Sequence, residues 1–301
     1  MTNYGGSVPQ HLIVGARQGF LQGRRQAEFP WRQVAAEFNM GAKSETLVDL
    51  GAAPMPKDSR SGVTYQEFVE KSKALTVIDW DITVGISQNA VDDDQTSTLQ
   101  NRFASAGRNF EKHINKRVFT VLNAGDGQTY GPAYDGQDFF DSDHVDKGAN
   151  YQTSQDNEAA LTLSLDNFNT AWVAAAQMRD DQGEFTDFNY DLLVCHPTNF
   201  VIGSNIVGNL SAMDTANRED NPYATMFKPP VISAELDTTA WYIIASSENV
   251  KPLILAMKEQ PGLQATWFDA TKPEGGMNFF KFYGRYKVHY GEWRLAYQGN
   301  T

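Results

Sequence analysis

The sequence predicts an α+β fold in which one long helix supports extended strands. Three observations carry this: a helical apolar stripe over residues 93–124, strict alternation in "TVIDWDITVGI", and a second alternating run in "NFFKFYGRYKVHYGEW". At 301 residues, one large domain or two intertwined ones is expected.

The elements follow in order. Leu12 to Phe29 has helical spacing through Leu12, Ala16, Phe20 and Ala27, and Pro30 stops it. Gly15, Gly19 and Gly23 make that helix weak in isolation. Residues 1–48 carry five basic side chains (Arg17, Arg24, Arg25, Arg32, Lys43) against three acids, locally +2 in a chain of −12. A weakly self-sufficient basic arm of this kind is expected either to dock on a neighbour or to be disordered. "GAAPMPKDSRSG" (Gly51–Gly62) is a turn-rich break. In the strand that follows, Ile78, Trp80, Ile82, Val84 and Ile86 fall on one face. Paired with "VTYQEFVEKSKAL", it is expected to form a long two-stranded excursion, which needs something to lie on.

The helix stripe steps through Leu99, Phe103, Ala106, Phe110, Ile114, Val118, Val121 and Leu122, with Asp92, Asp93 and Asp94 read as its N-terminal acids and Gly125 as its end. Some thirty residues make a rod of about 45 Å. A second helix is expected from the cap Ser164 through Phe168, Trp172, Ala175 and Met178 to Gly183. "YDLLVCHPTN" reads as a buried strand stopped by Pro197. In the last run Phe280, Phe282, Tyr286, Val288 and Tyr290 share a face, and the phase slips at Gly291.

Several function classes are disfavoured. With 37 acids against 25 Lys and Arg, the surface as a whole repels phosphate, so sequence-independent nucleic-acid binding is not expected as the main task. Cys195 is the only cysteine, so no intrachain disulfide forms. No apolar run approaches a membrane span, the N-terminus lacks a signal-peptide pattern, and the chain reads as cytosolic at synthesis. Cys195 and His196 are neighbours on a strand and point to opposite faces, which rules them out as a nucleophile–base pair. The five histidines show no zinc spacing, and no Walker loop, GxSxG elbow or kinase signature is present. The stretch "YDGQDFFDSDH" (Tyr134–His144) admits two readings. Asp141, Asp143 and His144 have metal-ligand chemistry; alternatively, Asp135-Gly136 is a hairpin turn anchored by Phe139 and Phe140.

Six segments, in order, resemble the Mu-like phage major head subunit family: "KSETLVDLGAAPMP", "DITVGISQNAVDDDQ", "YDGQDFFDSDH", "DLLVCHPTN", "KPLILAMKEQPG" and "FYGRYKVHYGEWRLAYQG". The family is similar to tailed-phage capsid subunits of the Hong Kong 97 type. The resemblance implies a capsid fold with an N-terminal arm (1–48), an extended β-hairpin loop (49–91), a peripheral domain (92–195) containing a spine helix (93–124), an axial domain (196–260), and C-terminal strands (261–301) returning to the peripheral domain. It implies a major capsid protein of a tailed phage or prophage, located in the virion and assembled in the host bacterial cytoplasm into an icosahedral shell around double-stranded DNA.

The implied partners are identical subunits in hexamers and pentamers, a separate scaffolding protein, a portal, a decoration protein, and DNA lying adjacent without specific recognition; no membrane is involved. No catalytic residue, metal or cofactor is implied. Inter-subunit contacts are expected from the arm (Arg24, Arg25, Trp31) and the loop (Lys57, Arg60, Tyr65, Phe68, Trp80). Two other readings stand beside this one: an acidic hydrolase using carboxylates such as Asp141 and Asp143, and a β-rich ligand-binding module using exposed aromatics.

Overall fold

The computed structural model of the chain describes residues 8–50, 70–93, 98–145, 151–208, 221–272 and 275–300. In chain order its elements are α1 (Gln10–Gln26), α2 (Trp31–Val34), β1 (Ala35–Asn39), β2 (Ser44–Leu50), β3 (Glu70–Thr76), β4 (Ile78–Ser87), α3 (Gln88–Asp92) and α4 (Thr98–Asn123). There follow β5 (Glu158–Ala159), α5 (Leu165–Ala176), β6 (Leu192–Cys195), α6 (Phe200–Val207), α7 (Tyr223–Met226), β7 (Val231–Ile232), β8 (Trp241–Ile244), β9 (Leu253–Asp269), β10 (Met277–Tyr290) and β11 (Ala296–Gly299).

Two sheets organise these elements. A four-stranded sheet has the order β1-β9-β10-β4, and a five-stranded sheet the order β5-β11-β8-β6-β7. β2 and β3 pair only with each other. The alternation in the C-terminal run sorts β10 cleanly: Phe280, Phe282, Tyr286 and Tyr290 are fully buried. They face the helical layer, where Phe20 of α1 stacks on Phe282 at 4.3 Å and Phe103 of α4 meets Phe280 edge-on at 4.8 Å. β6, β8 and β11 are buried at every position, as befits the hydrophobic runs "LLVC" and "WYII" in a sheet covered on both faces. The C-terminal run therefore divides, with β10 beside α4 and β11 in the other sheet.

α4 is the spine. Its buried stripe runs Leu99, Phe103, Ala106, Phe110, Ile114, Val118 and Leu122, matching the expected face. It starts at Thr98, and at 26 residues spans about 39 Å. The aspartate triplet is not its cap: Asp92 ends α3, Asp93 is the residue after it, and Asp94 lies outside the described residues. Ser87 caps α3 instead, accepting from the Ala90 amide. At the far end Tyr290 Oη donates to the carbonyls of Val121 and Ala124 (3.0 and 2.9 Å), satisfying helix-end acceptors that would otherwise lie orphaned.

The arm docks on its own chain. α1 has no side-chain N-cap and no acid in its first turn, so tertiary packing must hold it. Its glycines supply that packing. A Cβ on Gly23 would sit 1.9 Å from the Ala104 carbonyl oxygen, and one on Gly107 would sit 2.1 Å from the Phe20 carbonyl oxygen. The two backbones touch, and Gly23, which weakens α1 alone, is a residue that lets it reach α4. β1 then pairs in parallel with β9, from Ala35↔Leu253 to Asn39↔Met257.

The excursion is built from different strands than the sequence suggested. β3 pairs antiparallel with β2 (Ser44↔Thr76 to Leu50↔Glu70), while β4 is an edge strand of the four-stranded sheet beside β10. The alternation in β4 reflects a sheet face packed on helices, which period 2 signals equally well. Ser164 does cap α5, accepting from the Asn167 amide at 3.3 Å. That helix ends at Ala176, and Gly183 instead occupies a turn with φ 89°. No strand leads out of Asp135-Gly136, where Gly136 takes φ 94°.

Candidate functional site

Among the described strands, β2 and β3 alone join neither of the two larger sheets, so the residues at the root of this pair define the candidate site. A small separate core lies beneath it: Met40, Leu75, Val77, Ile254 and Ala256 are buried together, with Phe38 and Leu47 packed on them. A cavity of about 190 Å³ remains between hairpin and body, bordered by Leu47, Val48, Lys73, Tyr134, Ile254 and Glu292. Lys73 crosses this gap and donates to the Pro132 carbonyl at 3.0 Å. Burial pushes its amine down to about 8, against the opposing pull of Asp135. Lys71 sits over the Tyr134 ring at 4.6 Å.

At the foot of β3, His289 Nε2 lies 2.8 Å from the Thr76 carbonyl oxygen and 3.1 Å from its amide nitrogen. Burial pushes this imidazole from 6.5 down to about 4; the Thr76 contact opposes the shift, and Lys287 and Lys73 add to it. A base with a depressed folded pKa takes up its proton more readily in the unfolded chain. The contribution of His289 is thus complete above pH 6.5 and declines as the pH falls from 6.5 to about 4. His289→Gln is expected to remove about 2 kcal/mol of that decline, seen as a flatter pH dependence of urea unfolding across this interval. Identical pH dependence in variant and parent would disprove the assignment.

"YDGQDFFDSDH" is the bracket that holds this root to the rest of the fold. Asp135 Oδ2 meets His144 Nδ1 at 2.6 Å with both side chains fully buried, and His144 stacks on Trp293 at 4.0 Å. Arg294 covers the other ring contact of Trp293 at 4.2 Å. Tyr134 Oη donates to Glu292 Oε1 at 2.9 Å and accepts from Arg294. Phe139 stacks on Tyr290 at 4.7 Å and Phe140 packs on Tyr242. The half-buried Asp141 and the exposed Asp143 serve local turns. Asp141 Oδ1 accepts from the amides of Ser142 and Asp143, and Asp143 Oδ1 accepts from Gln137. Among the described residues, no group of three His, Cys, Asp or Glu is placed to hold a metal, and no helix is long and apolar enough to cross a membrane.

Residues 10–162 match the family described as Mu-like prophage major head subunit gpT, which is just over half of the chain. The chain belongs to that family. This gpT-family chain is 29% identical to the major capsid protein of Escherichia phage Mu over 133 residues, spanning 44% of the chain and 43% of the Mu protein. The match thus covers less than half of that relative's length. Among solved structures, the procapsid of bacteriophage JBD30 is similar at a TM-score of 0.56 and 18% identity, covering 98% of this chain and 76% of that one. The JBD30 capsid gives 0.56 at 20% identity over 70% of this chain and 92% of that one. A virus-like particle from Pyrococcus furiosus gives 0.56 at 10% identity over 97% and 100%. At such identities these likenesses establish the fold, the tailed-phage capsid fold of the Hong Kong 97 type.

Against that family frame, the expected contact residues separate into three groups. Lys57, Arg60, Tyr65 and Phe68 lie outside the described residues. Arg25 is exposed on α1. Arg24, Trp31 and Trp80 are engaged within the subunit. Arg24 bonds Glu111 Oε1 through Nε and Nη2 at 2.9 and 2.8 Å and reaches the Pro261 carbonyl. Trp31 is 1% exposed beneath the Arg32 guanidinium. Trp80 donates to the Tyr286 carbonyl at 3.0 Å and packs on His113 at 4.4 Å. Sequence reading missed Lys73, Glu111, His289 and Arg294. Of these, only Glu111 left a signal, as an acid beside Phe110 on the buried stripe of a helix.

Proposed function

We propose that this chain is the major capsid subunit of a tailed phage or prophage and closes with its own copies into an icosahedral shell around double-stranded DNA. The observation that carries the reading is family membership over residues 10–162 together with a capsid-subunit fold across almost the whole chain. The mechanism is geometric. α4 and the four-stranded sheet form a stiff peripheral body, the five-stranded sheet with α6 and α7 forms the axial part, and the β2–β3 hairpin begins the extended loop that rests on an adjacent copy. Each contact is modest, and closure multiplies them. Arg25 and the loop residues Lys57, Arg60, Tyr65 and Phe68 are the proposed inter-subunit contacts. Hexamers and pentamers, a separate scaffold, a portal and a decoration protein complete the proposed assembly, which forms in the bacterial cytoplasm.

Negative-stain imaging and sedimentation of the expressed chain test this. Closed shells or capsomers are expected, and a 33.5 kDa monomer at all concentrations would overturn the reading. Deletion of Gly51–Gly62 is expected to leave soluble subunits that do not close. Shells of parental size from that variant would remove the loop assignment.

A further inference from the structure

The net charge of −12 hides a segregation. α1 carries Arg17, Arg24 and Arg25 with no acid, and α4 carries Arg102, Arg108, Lys112, Lys116 and Arg117 with Glu111 alone. Eight basic residues against one acid give this two-helix layer seven net positive charges, so the remainder of the chain holds nineteen negative ones. Three of the eight are committed: Arg24 to Glu111, Lys116 to Glu235 at 3.4 Å, and Arg117 over the rings of Trp80 and Tyr130. Among the described residues, no ion pair or ring contact engages Arg17, Arg25, Arg102, Arg108 or Lys112, and all five are exposed.

These charges border a built feature. A groove of about 580 Å³ runs between α1 and α4, lined by Gln22 and Gln26 on one side and by Gln100, Asn101, Ser105 and Arg108 on the other. Arg102 precedes the lining residue Ser105 by three positions on α4, so the two are neighbours on the helix surface. Lys112 extends the Arg108 side by one turn, about 6 Å. The local potential is felt by His113, whose imidazole is held below its usual range by burial and then by Arg117 and Lys116.

We infer that the α1–α4 layer is a sequence-independent contact surface for the phosphate backbone of double-stranded DNA, with Arg102, Arg108 and Lys112 supplying the charge. Amide and hydroxyl side chains beside exposed cations suit phosphate oxygens, which with the sugars take roughly half to two-thirds of all protein–DNA hydrogen bonds. Duplex DNA presents one negative charge per about 1.7 Å, enough to engage residues one helical turn apart. The acidic balance of the whole chain then keeps DNA off its other faces while this layer accepts it, which places α1 and α4 on the inner wall. The inference rests on the proposed capsid role for the presence of DNA, and on charge placement for the binding itself.

The test is a titration of the full chain with a short random-sequence duplex at increasing salt. It uses the parent, the triple variant Arg102→Gln/Arg108→Gln/Lys112→Gln, and a charge-matched control, Lys258→Gln/Lys272→Gln/Lys281→Gln, on the β9–β10 hairpin. The parent and control are expected to bind alike. The triple variant should lose at least 10-fold in affinity at low salt, with its salt slope flattened by about 0.9 for each phosphate contact removed. Equal binding by all three, or none by the parent, overturns the inference. Tighter binding of poly-glutamate than of the duplex, lost in the same variant, reassigns the layer to an acidic protein. Sedimentation keeps the two readings apart. Shells formed by the triple variant without DNA affinity support both, whereas failed closure with DNA binding intact makes the layer a contact between copies. A parent that never closes overturns the capsid role alone.

Discussion

Gly107→Ala is expected to destabilise the subunit by about 3 kcal/mol, although alanine is the better helix former by about 1 kcal/mol. The added methyl would lie 2.1 Å from the Phe20 carbonyl oxygen, a backbone atom that cannot rotate away. α1 must therefore lift from α4, which loosens Phe20 from Phe282 and opens the Arg24–Glu111 contact. Gly23→Ala meets the Ala104 carbonyl at 1.9 Å and is expected to behave alike. Because one displacement relieves both clashes, the double variant should be scarcely worse than the poorer single one. A fall of roughly 5–10 °C in the thermal midpoint is the corresponding readout for a chain of this size. Parental midpoints for both single variants would mean that the helices do not touch. Gly15, whose Cβ would meet nothing within 4 Å, supplies the control: Gly15→Ala should stabilise slightly.

The second large effect concerns the ion pair across the same crossing. The Glu111 side chain is 3% exposed and its partner Arg24 14%. Arg24→Ala leaves a carboxylate buried without its counter-charge, at an expected cost of about 3–5 kcal/mol. It also strips the Pro261 carbonyl of its donor, loosening α1 from β9. Replacing both partners with apolar residues of similar volume, Arg24→Met/Glu111→Leu, should recover most of that loss, because the buried charge goes with its partner. Equilibrium unfolding of the two singles and the double gives the cycle directly. A double variant as unstable as Arg24→Ala would show that the pair is not what holds the crossing.

Periodicity made the spine and the terminal strands legible, because in both cases one covered face imposes a spacing that survives in the sequence. The buried positions of α4 and β10 are those the stripes named. Pairing was not legible. β4 alternates because its inner face packs under helices, and nothing local distinguishes β10 from β3 as its partner when β10 begins some two hundred residues later. Aspartates before a helix stripe suggested a cap, yet Asp92 and Asp93 form the end of α3 and the spine helix begins at Thr98. "YDGQDFFDSDH" stayed ambiguous because its decisive partners, Trp293, Tyr290 and Tyr242, arrive from the far end of the chain. Arg24 and Trp31 read as surface residues of a glycine-rich arm; only the close crossing that those glycines permit puts them inside.

The parallel register of β1 on β9 and the antiparallel register of β4 on β10 have a consequence for synthesis. A nascent chain that has not yet delivered residues 253–290 from the ribosome has a β1 and a β4 with no partner strands to close on. Long-range pairing of this kind defers cooperative folding to the last stage of translation. Under the proposed capsid role, polysome-bound intermediates would thus present no finished tile, and copies emerging side by side from one message would be kept from polymerising prematurely by the order in which their parts are made.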